Sequence, residues 1–300
     1  MGAAALVLAT ACGSDSSVSP SASAALSSAT LTKDIATTAG NAVVSDLDAF
    51  AYNDVFAGIA ANRGFLPIAP SLTENVSPSD SGSGSSADSE HVTPAGTPPA
   101  PDSTNTSCSD DQVHHDKRCH FFQGDNTVQS TVTFVDASGI VTNGFVQGVT
   151  DTIRTALSLV RHDTSGNGRR ISVLYRNVNK AIGGFTVLVG DRTTNGTGTG
   201  ADTTTFTDSS GATRTYASTS TDTITALVFA ERRTTPYPKS GQIIFALDAT
   251  ATAFDGQETT TKTITRRIVV TFDGSATATM QVGTSTCQLH LDTRTVDNCQ

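Results

Sequence analysis

Several residue types and patterns are scarce or absent in this chain of 300 residues, and each absence excludes a class of structure or function. Tryptophan is absent and aromatic residues make up 6% of the chain, so a core must be built mainly from Val, Ile, Leu, Ala and Phe. No apolar run reaches the roughly 18 residues of a membrane-spanning helix. Charged residues make up 16%, without the basic stripe that nucleic acid requires. The sequence therefore predicts neither a transmembrane helix nor a nucleic-acid partner.

Negative charge is concentrated in the first part of the chain. The net charge is −9, and residues 1–127 carry 14 acids and 4 bases, whereas residues 128–300 carry 14 acids and 15 bases. Seven of the ten prolines lie between Pro67 and Pro101. Such a segment cannot bury enough apolar surface to offset its ordering entropy. We therefore predict a disordered linker over 71–107, between a helical segment (31–70) and a β domain (108–300).

Alternating apolar residues in the last third of the chain predict β-strands. In the segment 261–272, Ile264, Ile268 and Val270 fall on one face, and Thr265 and Arg267 fall on the other. Because side chains alternate along a strand, this segment is a half-buried strand with a core face and a solvent face. The same alternation, separated by Gly-containing turns, marks 242–254, 275–282 and 286–296. Together these segments predict an antiparallel meander.

The middle of the chain extends this pattern. An Asp-x-x-Gly turn recurs at 136–139, 163–166 and 208–211, where Asp can accept a backbone N–H and Gly can adopt positive φ. Helical spacing over 32–51, with Thr32 as the N-cap, predicts one N-terminal helix. The predicted fold is mainly β: an antiparallel, meander-rich twisted sheet or partly closed barrel of about ten strands, with that helix packed on it. Further strands are predicted from Val128 and at 152–161, 170–178, 185–189, 203–207, 213–218 and 223–231.

Two patterns resemble ligand-binding loops, and neither is complete. The run Gly-Thr-Gly-Thr-Gly at 196–200 is followed by no Lys-Ser/Thr pair and no helical pattern, so we predict a flexible loop. Asp163, Ser165 and Asn167 have the spacing of the start of a calcium loop, but Leu174 stands where the bidentate Glu is needed. We predict no metal and no other cofactor from either pattern.

Four of the five cysteines form two closely spaced pairs. His114, His115 and His120 lie beside the first pair and could ligate a metal with its thiols, although common zinc sites have closer cysteines. We favour two local disulfides in an oxidising compartment, each contributing roughly 3 kcal/mol, while the other connectivities stay open. The two pairs are Cys108 with Cys119, and Cys287 with Cys299.

The fifth cysteine follows a short apolar segment and precedes a polar, Ser-rich one. The sequence Ala9-Thr10-Ala11-Cys12 resembles the lipobox of bacterial lipoproteins, where small residues precede a lipidated Cys. It departs from that family in Ala9, where Leu or Val is favoured, and in lacking Lys or Arg before the apolar run. The resemblance implies a signal peptide over 1–12, lipidation of Cys12 and a polar tether over 13–30. Because Gly rather than Asp follows the cysteine, it also implies passage to the outer membrane.

No pattern in the sequence specifies an enzyme. The Gly-x-Ser-x-Gly and His-Glu-x-x-His motifs are absent. His162 and His290 could each belong to a Ser-His-Asp set, but Ser is too common here to be informative. We therefore predict no catalytic residues, and interpret the chain as a lipid-anchored cell-envelope protein acting as a structural or binding module. An apolar-ligand carrier or chaperone-like lipoprotein, and an envelope hydrolase, are the alternatives.

Overall fold

The computed structural model describes residues 26–61 and 106–300, except for 112, 114–115, 124–125, 166–167, 188–189, 210, 231–236 and 255–256. For residues 48–61, 106–108, 110 and 121–123 it describes the backbone alone. Within these ranges there are one helix, α1, and thirteen strands. Helix α1 spans Ser28–Ala61. The strands are β1 Thr106–Asp111, β2 Asp116–Gln123, β3 Asn126–Asp136, β4 Val141–Thr142, β5 Thr150–Thr164, β6 Arg170–Gly183, β7 Arg192–Thr207, β8 Thr213–Phe229, β9 Ser240–Phe254, β10 Thr259–Thr271, β11 Thr277–Val282, β12 Ser285–His290 and β13 Thr295–Asp297.

All thirteen strands belong to one antiparallel sheet. Their spatial order follows the chain from β1 to β13, except that the short β4 pairs only with β3, which continues to β5. The described sheet has β1 at one edge and β13 at the other, so it does not close on itself. The predicted antiparallel meander with one packed helix is confirmed, in its open form.

One face of the sheet is buried, and α1 packs on it. Ile268 is fully buried, while its neighbour Arg267 is exposed, which confirms the predicted register of that strand. Ile35 and Val43 of α1 pack into the same core as Ile268 and Phe245. We call this helix-covered side the inner face, and the opposite side the outer face. A second cluster fills the inner face further along the sheet, with members Cys119, Val128, Val132, Phe134, Ile153, Leu157, Leu159, Ile182 and Phe185.

Helix α1 begins earlier than the sequence predicts and lies very close to the sheet. Its N-cap is Ser27, whose Oγ accepts the backbone N–H of Thr30 at 3.3 Å, so the predicted N-cap Thr32 is wrong. Gly40 is mid-helix, and a Cβ there would lie 2.8 Å from Cγ2 of Val296. The helix-propensity cost of glycine, about 1 kcal/mol, is therefore offset by close approach of the two layers. In the described residues, no helix combines the length and apolarity needed to cross a membrane.

Several predicted boundaries are wrong for identifiable reasons. Residues 185–187 form a turn rather than the predicted strand, and Gly184 and Gly190 on either side adopt φ of +102° and +157°. The rest of that predicted strand, 188–189, lies outside the described residues. Phe185 is still buried and makes an edge-to-face contact with Phe145 at 6.1 Å. The two strands predicted over 213–231 are one, β8. The sheet also begins at Thr106, two residues inside the predicted linker, with β1 and β2 pairing before the first predicted strand.

The Asp-x-x-Gly turns behave as predicted at two of their three positions. Asp136 Oδ1 accepts the N–H of Ser138 at 2.9 Å, and Gly139 has φ of +85°. The turn at 208–211 also ends in a positive-φ glycine. At the third position, Asp163 forms an ion pair with Arg170 at 2.5 Å, and Gly166 lies outside the described residues. Asp163 is also the first residue of the calcium-like pattern, and its carboxylate is engaged by Arg170.

Candidate functional site

A buried ionic cluster joins α1 to the sheet. Arg176 of β6 has no exposed side-chain surface, and its guanidinium contacts carboxylates from two other elements. Nε and Nη2 donate to Asp46 of α1 at 3.1 and 2.6 Å, and Nη2 also donates to Asp222 of β8 at 2.5 Å. Nη1 donates to Ser220 at 3.2 Å, and Lys180 Nζ donates to the backbone carbonyl of Asp46 at 3.0 Å. The cluster therefore fixes one helix and two strands relative to one another.

The charges in this cluster balance. Burial alone would lower the pKa of Arg176, but Asp46 and Asp222 raise it above its ordinary value, so this group stays charged. Burial and the neighbouring Asp46 carboxylate raise the pKa of Asp222 to about 6, although Arg176 and Lys180 act in the opposite direction. With two acids and two bases, the cluster is close to neutral at pH 7. Its burial fits the rule that charges in protein interiors are paired.

The glycine run of β7 makes room for these side chains. Gly196, Gly198 and Gly200 alternate along the strand, so all three point to the inner face. A Cβ at Gly198 would lie 2.5 Å from Oδ1 of Asp222, and one at Gly200 would lie 2.6 Å from Nη1 of Arg176. The prediction of a flexible loop is therefore wrong. The run is a paired strand in which glycine leaves space for a buried ion pair.

Two further polar contacts hold the helix along its length. Asp34 Oδ2 accepts hydrogen bonds from Arg214 Nε at 2.8 Å and from the Tyr216 hydroxyl at 2.7 Å. Burial and the Asp34 carboxylate raise the pKa of Tyr216, which keeps that hydroxyl protonated as a donor. About two turns further along α1, Asn41 accepts a hydrogen bond from Arg170 Nη1 at 3.1 Å. Polar contacts of Asp34, Asn41 and Asp46 thus attach α1 to the sheet at three positions along the helix.

Asp202 of β7 is a buried carboxylate with one unused oxygen. Its Oδ1 accepts the Thr204 hydroxyl at 2.5 Å, whereas Oδ2 has no hydrogen-bond partner among the described residues. Burial raises the pKa of Asp202 to about 6, and the Thr204 hydrogen bond and the charge of Arg170 only partly oppose this. Asp202 is therefore ionised at pH 7 at a cost to stability.

The outer face of the sheet carries a groove with a volume of about 660 Å³. It crosses β3, β5, β6, β7 and β8. Its floor contains the small side chains of Ala156 and Ala181, and Arg154 is its one charged outer-face side chain. The amides of Asn179 and Asn195 also line it. Its hydroxyl groups come from Thr131, Thr133, Thr197, Thr223 and Thr225.

Strand register explains the chemistry of the groove. One cross-strand row runs from Thr131 through Ala156 and Asn179 to Thr197. The next row places Arg154 between Thr133 and Ala181. Since directly opposite side chains in a sheet are about 5 Å apart, the hydroxyls, amides and guanidinium lie near one another, with the alanine side chains between them.

The predicted disulfides are partly visible. Cys287 and Cys299 form a disulfide, which ties the C-terminal segment to β12 and is compatible with an oxidising compartment. Cys119 is also disulfide-bonded, so its thiolate is not available to a metal. Cys108 lies directly opposite Cys119 in the β1–β2 register, but its side chain is outside the described residues, and their pairing stays a prediction. Lipidation of Cys12 also stays a prediction, because Cys12 is outside the described residues.

The histidines that the sequence singles out do not meet in one site. His120 lies on β2, while His114 and His115 are outside the described residues. His162 lies near the end of β5. In the part of the chain that is described, no group of three or more His, Cys, Asp or Glu residues could hold a metal ion.

His290 does have the partners of a nucleophile-His-acid set, with threonine as the hydroxyl. Its Nδ1 lies 3.2 Å from the Thr277 hydroxyl, and its Nε2 lies 3.1 Å from Asp297. The backbone N–H of Thr277, which could help to stabilise an oxyanion, instead donates to Ser275 at 3.2 Å. Thr277 lies directly opposite His290 on the neighbouring strand, whereas Asp297 lies opposite Gln288 and reaches His290 diagonally. These contacts link β11, β12 and β13 at one edge of the sheet.

Comparisons with known proteins give no match: no family model matches the chain, and neither does a curated protein or a solved structure. Any statement on function must therefore rest on the residues themselves. Two regions stand out, namely the buried ionic cluster on the inner face and the polar groove on the outer face. The first is fully enclosed by α1 and suits a structural role, whereas the second is accessible to a partner.

The glycine run generates the first prediction. We expect Gly198→Ala to lower the free energy of unfolding by about 2 kcal/mol or more, because its Cβ would displace the Asp222 carboxylate from Arg176. Thr199→Ala is the matched control, because Thr199 is exposed on the outer face of the same strand, and a surface change is usually within about 0.5 kcal/mol. Urea denaturation of both variants measures the difference. Equal stabilities would show that the ion pair tolerates the extra methyl group.

Asp202 generates the second prediction. A native pKa of about 6, above the ordinary value of 3.8, means that its stabilising contribution is fully present below pH 4 and is lost as the pH rises through 6. Asp202→Asn should therefore stabilise the protein at pH 7.5, by up to about 3 kcal/mol, and have little effect at pH 4. Asp248→Asn is the control, because Asp248 is exposed. Denaturation at both pH values is the measurement, and a loss of stability at pH 7.5 would contradict the assignment.

Proposed function

We propose that this chain is a lipid-anchored cell-envelope protein whose β-sheet domain acts as a binding or structural module. Three observations support the proposal. The lipobox-like sequence around Cys12 supports export and anchoring. The Cys287–Cys299 disulfide suits the oxidising side of a membrane. The groove on the uncovered outer face supports binding, and it is the observation that carries the proposal.

The two alternative functions receive less support. An apolar-ligand carrier with α1 as its lid would need an apolar space beneath the helix. The helix instead contacts the sheet through Gly40 and through the ion pairs of Asp34 and Asp46, an environment that disfavours an apolar guest. An envelope hydrolase finds its nearest candidate in the His290 set, where the N–H of Thr277 is already engaged.

The anchor is tested by metabolic labelling. The chain is expressed with its native N-terminus in a Gram-negative host with labelled palmitate, followed by separation of inner and outer membranes. We expect label on the wild type in the outer-membrane fraction and none on Cys12→Ala, because two or three acyl chains hold a protein stably at a membrane. Label that persists in Cys12→Ala, or wild-type protein that is wholly soluble, would reject the lipid anchor.

The binding role is tested by co-sedimentation with envelopes that have been stripped of lipid by detergent. The purified Cys12→Ala chain, which has no anchor, should sediment with them. Ala181→Trp, which fills the floor of the groove, should abolish this, whereas Ala246→Trp should not, because Ala246 is exposed on the outer face of β9 beyond the groove. Identical behaviour of the two tryptophan variants would reject the groove as the binding surface.

A further inference from the structure

Arg154 gives the outer-face groove its charge. Its side chain is exposed, and among the described residues no hydrogen bond or ion pair engages its guanidinium. The acid nearest to it in the same cross-strand row, Asp116, is paired with Arg118 at 3.3 Å. No acidic residue lines the groove. A guanidinium presents a planar fork of N–H donors that matches a carboxylate, so the groove is complementary to an anionic ligand.

The remaining lining groups are uncharged and bifunctional. Threonine hydroxyls both donate and accept, and the amides of Asn179 and Asn195 do the same through separate atoms. Sugar hydroxyls have the same double capacity. A surface that alternates hydroxyls, amides and small alanines therefore matches a hydroxyl-rich chain lying across the strands.

Other polymers fit this groove less well. A peptide that binds by strand addition needs an exposed sheet edge, whereas β3 and β5–β8 are paired on both sides. A single-stranded nucleic acid binds through aromatic side chains that stack on its bases as well as through cations, and no aromatic side chain lines the groove itself. An apolar anchor would need large apolar side chains to contact, and the apolar side chains that the groove presents on the outer face are alanines, since Ile224 is buried.

One aromatic side chain extends the same track. Tyr175 is 51% exposed, and it lies on the outer face of β6 four residues from Asn179, which places it roughly 13 Å along the strand. Ala201 is its cross-strand neighbour on β7, so a small side chain stands beside the ring. An exposed tyrosine combines an apolar face with a polar tip, which suits contact with a sugar ring.

We propose that the outer-face groove binds a linear, carboxylate-bearing polysaccharide, with Arg154 holding a uronate carboxylate and the threonine and asparagine side chains holding ring hydroxyls. This inference rests on the proposed role as a binding module and names the ligand class of that module. The lipid anchor would hold the protein at the envelope while the groove contacts an acidic glycan there. Tyr175 provides a stacking surface for a sugar further along the chain.

The test uses the full chain in detergent and surface plasmon resonance on immobilised polygalacturonate. We expect reversible binding that Arg154→Gln weakens by at least about tenfold, since hydrogen bonds to charged groups contribute about 1.5–3 kcal/mol. Arg267→Gln is the matched control and should change binding by less than about twofold. It removes the same charge from an exposed position on the outer face of β10, outside the groove. Dextran, a neutral polysaccharide, should bind much more weakly than polygalacturonate.

Three outcomes would overturn this assignment. Equal weakening by Arg154→Gln and Arg267→Gln would indicate attraction by overall charge rather than a site. Equal binding to dextran would remove the role of the carboxylate. Arg154-dependent binding to phosphatidylglycerol vesicles, without binding to polygalacturonate, would assign the groove to a lipid surface.

The envelope experiment separates this inference from the proposed function. Sedimentation that Ala181→Trp abolishes, together with no binding to polygalacturonate, would reject the acidic glycan and leave the binding module in place. If the protein neither sediments with the envelopes nor binds polygalacturonate, the binding module and the acidic glycan are both rejected. Circular dichroism of Arg154→Gln confirms that any loss of binding arises in a folded protein.

Discussion

The position of α1 depends on the buried guanidinium of Arg176, which requires carboxylate partners. Arg176 is fully buried, and a buried charge without partners would cost several kcal/mol. Its partners come from α1 and from β8, so Asp46, Arg176 and Asp222 can be satisfied together only when the helix lies in one place. Buried ion pairs add little net stability relative to a well-packed apolar core, but they penalise alternatives strongly. We interpret the cluster as the element that specifies where the helix docks.

The rest of the inner face is arranged around that requirement. Glycine in a strand interior weakens the strand, yet β7 has three at alternating positions where any side chain would collide with the cluster or its neighbours. Long, fully paired strands offset this weakness: β7 has 16 residues and lies between β6 and β8, which have 14 and 17. A glycine on α1 complements those on β7, since Gly40 allows the helix to approach Val296. The two layers thus meet through small residues and are aligned by charged ones.

Much of this fold is visible in the sequence because alternation is a strong signal. The buried and exposed positions of Ile268 and Arg267 follow directly from it. The ionic cluster was missed because charged residues are ordinarily assigned to solvent. A usable signal exists, however, since Arg176 stands at the same parity as Leu174 and Val178, and only an inner-face position is consistent with that spacing.

The groove is a harder case for sequence reasoning. Thr131, Arg154, Asn179 and Thr223 come from four strands that are distant in the chain, and each reads as an ordinary solvent-facing residue. Their proximity depends on the register between strands, which hairpin lengths and bulges set and which residue types alone do not reveal. The strands β1 and β2 were missed for a related reason. The sequence Thr-Ser-Cys-Ser-Asp-Asp of β1 has no apolar alternation, and it pairs because β2 offers an edge.

The two faces of the sheet carry different kinds of polar side chain. The inner face holds several ionic groups, while the outer face around β7 and β8 is dominated by threonine, which favours strands and keeps the surface wettable. An open sheet with one uncovered face needs such a surface to resist association. Its edges are also protected against pairing with other chains, because β13 has only three residues and β1 ends in two acids. On a uniform hydroxyl surface, non-specific contacts are weak. In the binding role proposed above, selectivity would come from the few places that differ, and Arg154 is the charged outer-face position among the alanines and threonines of the groove.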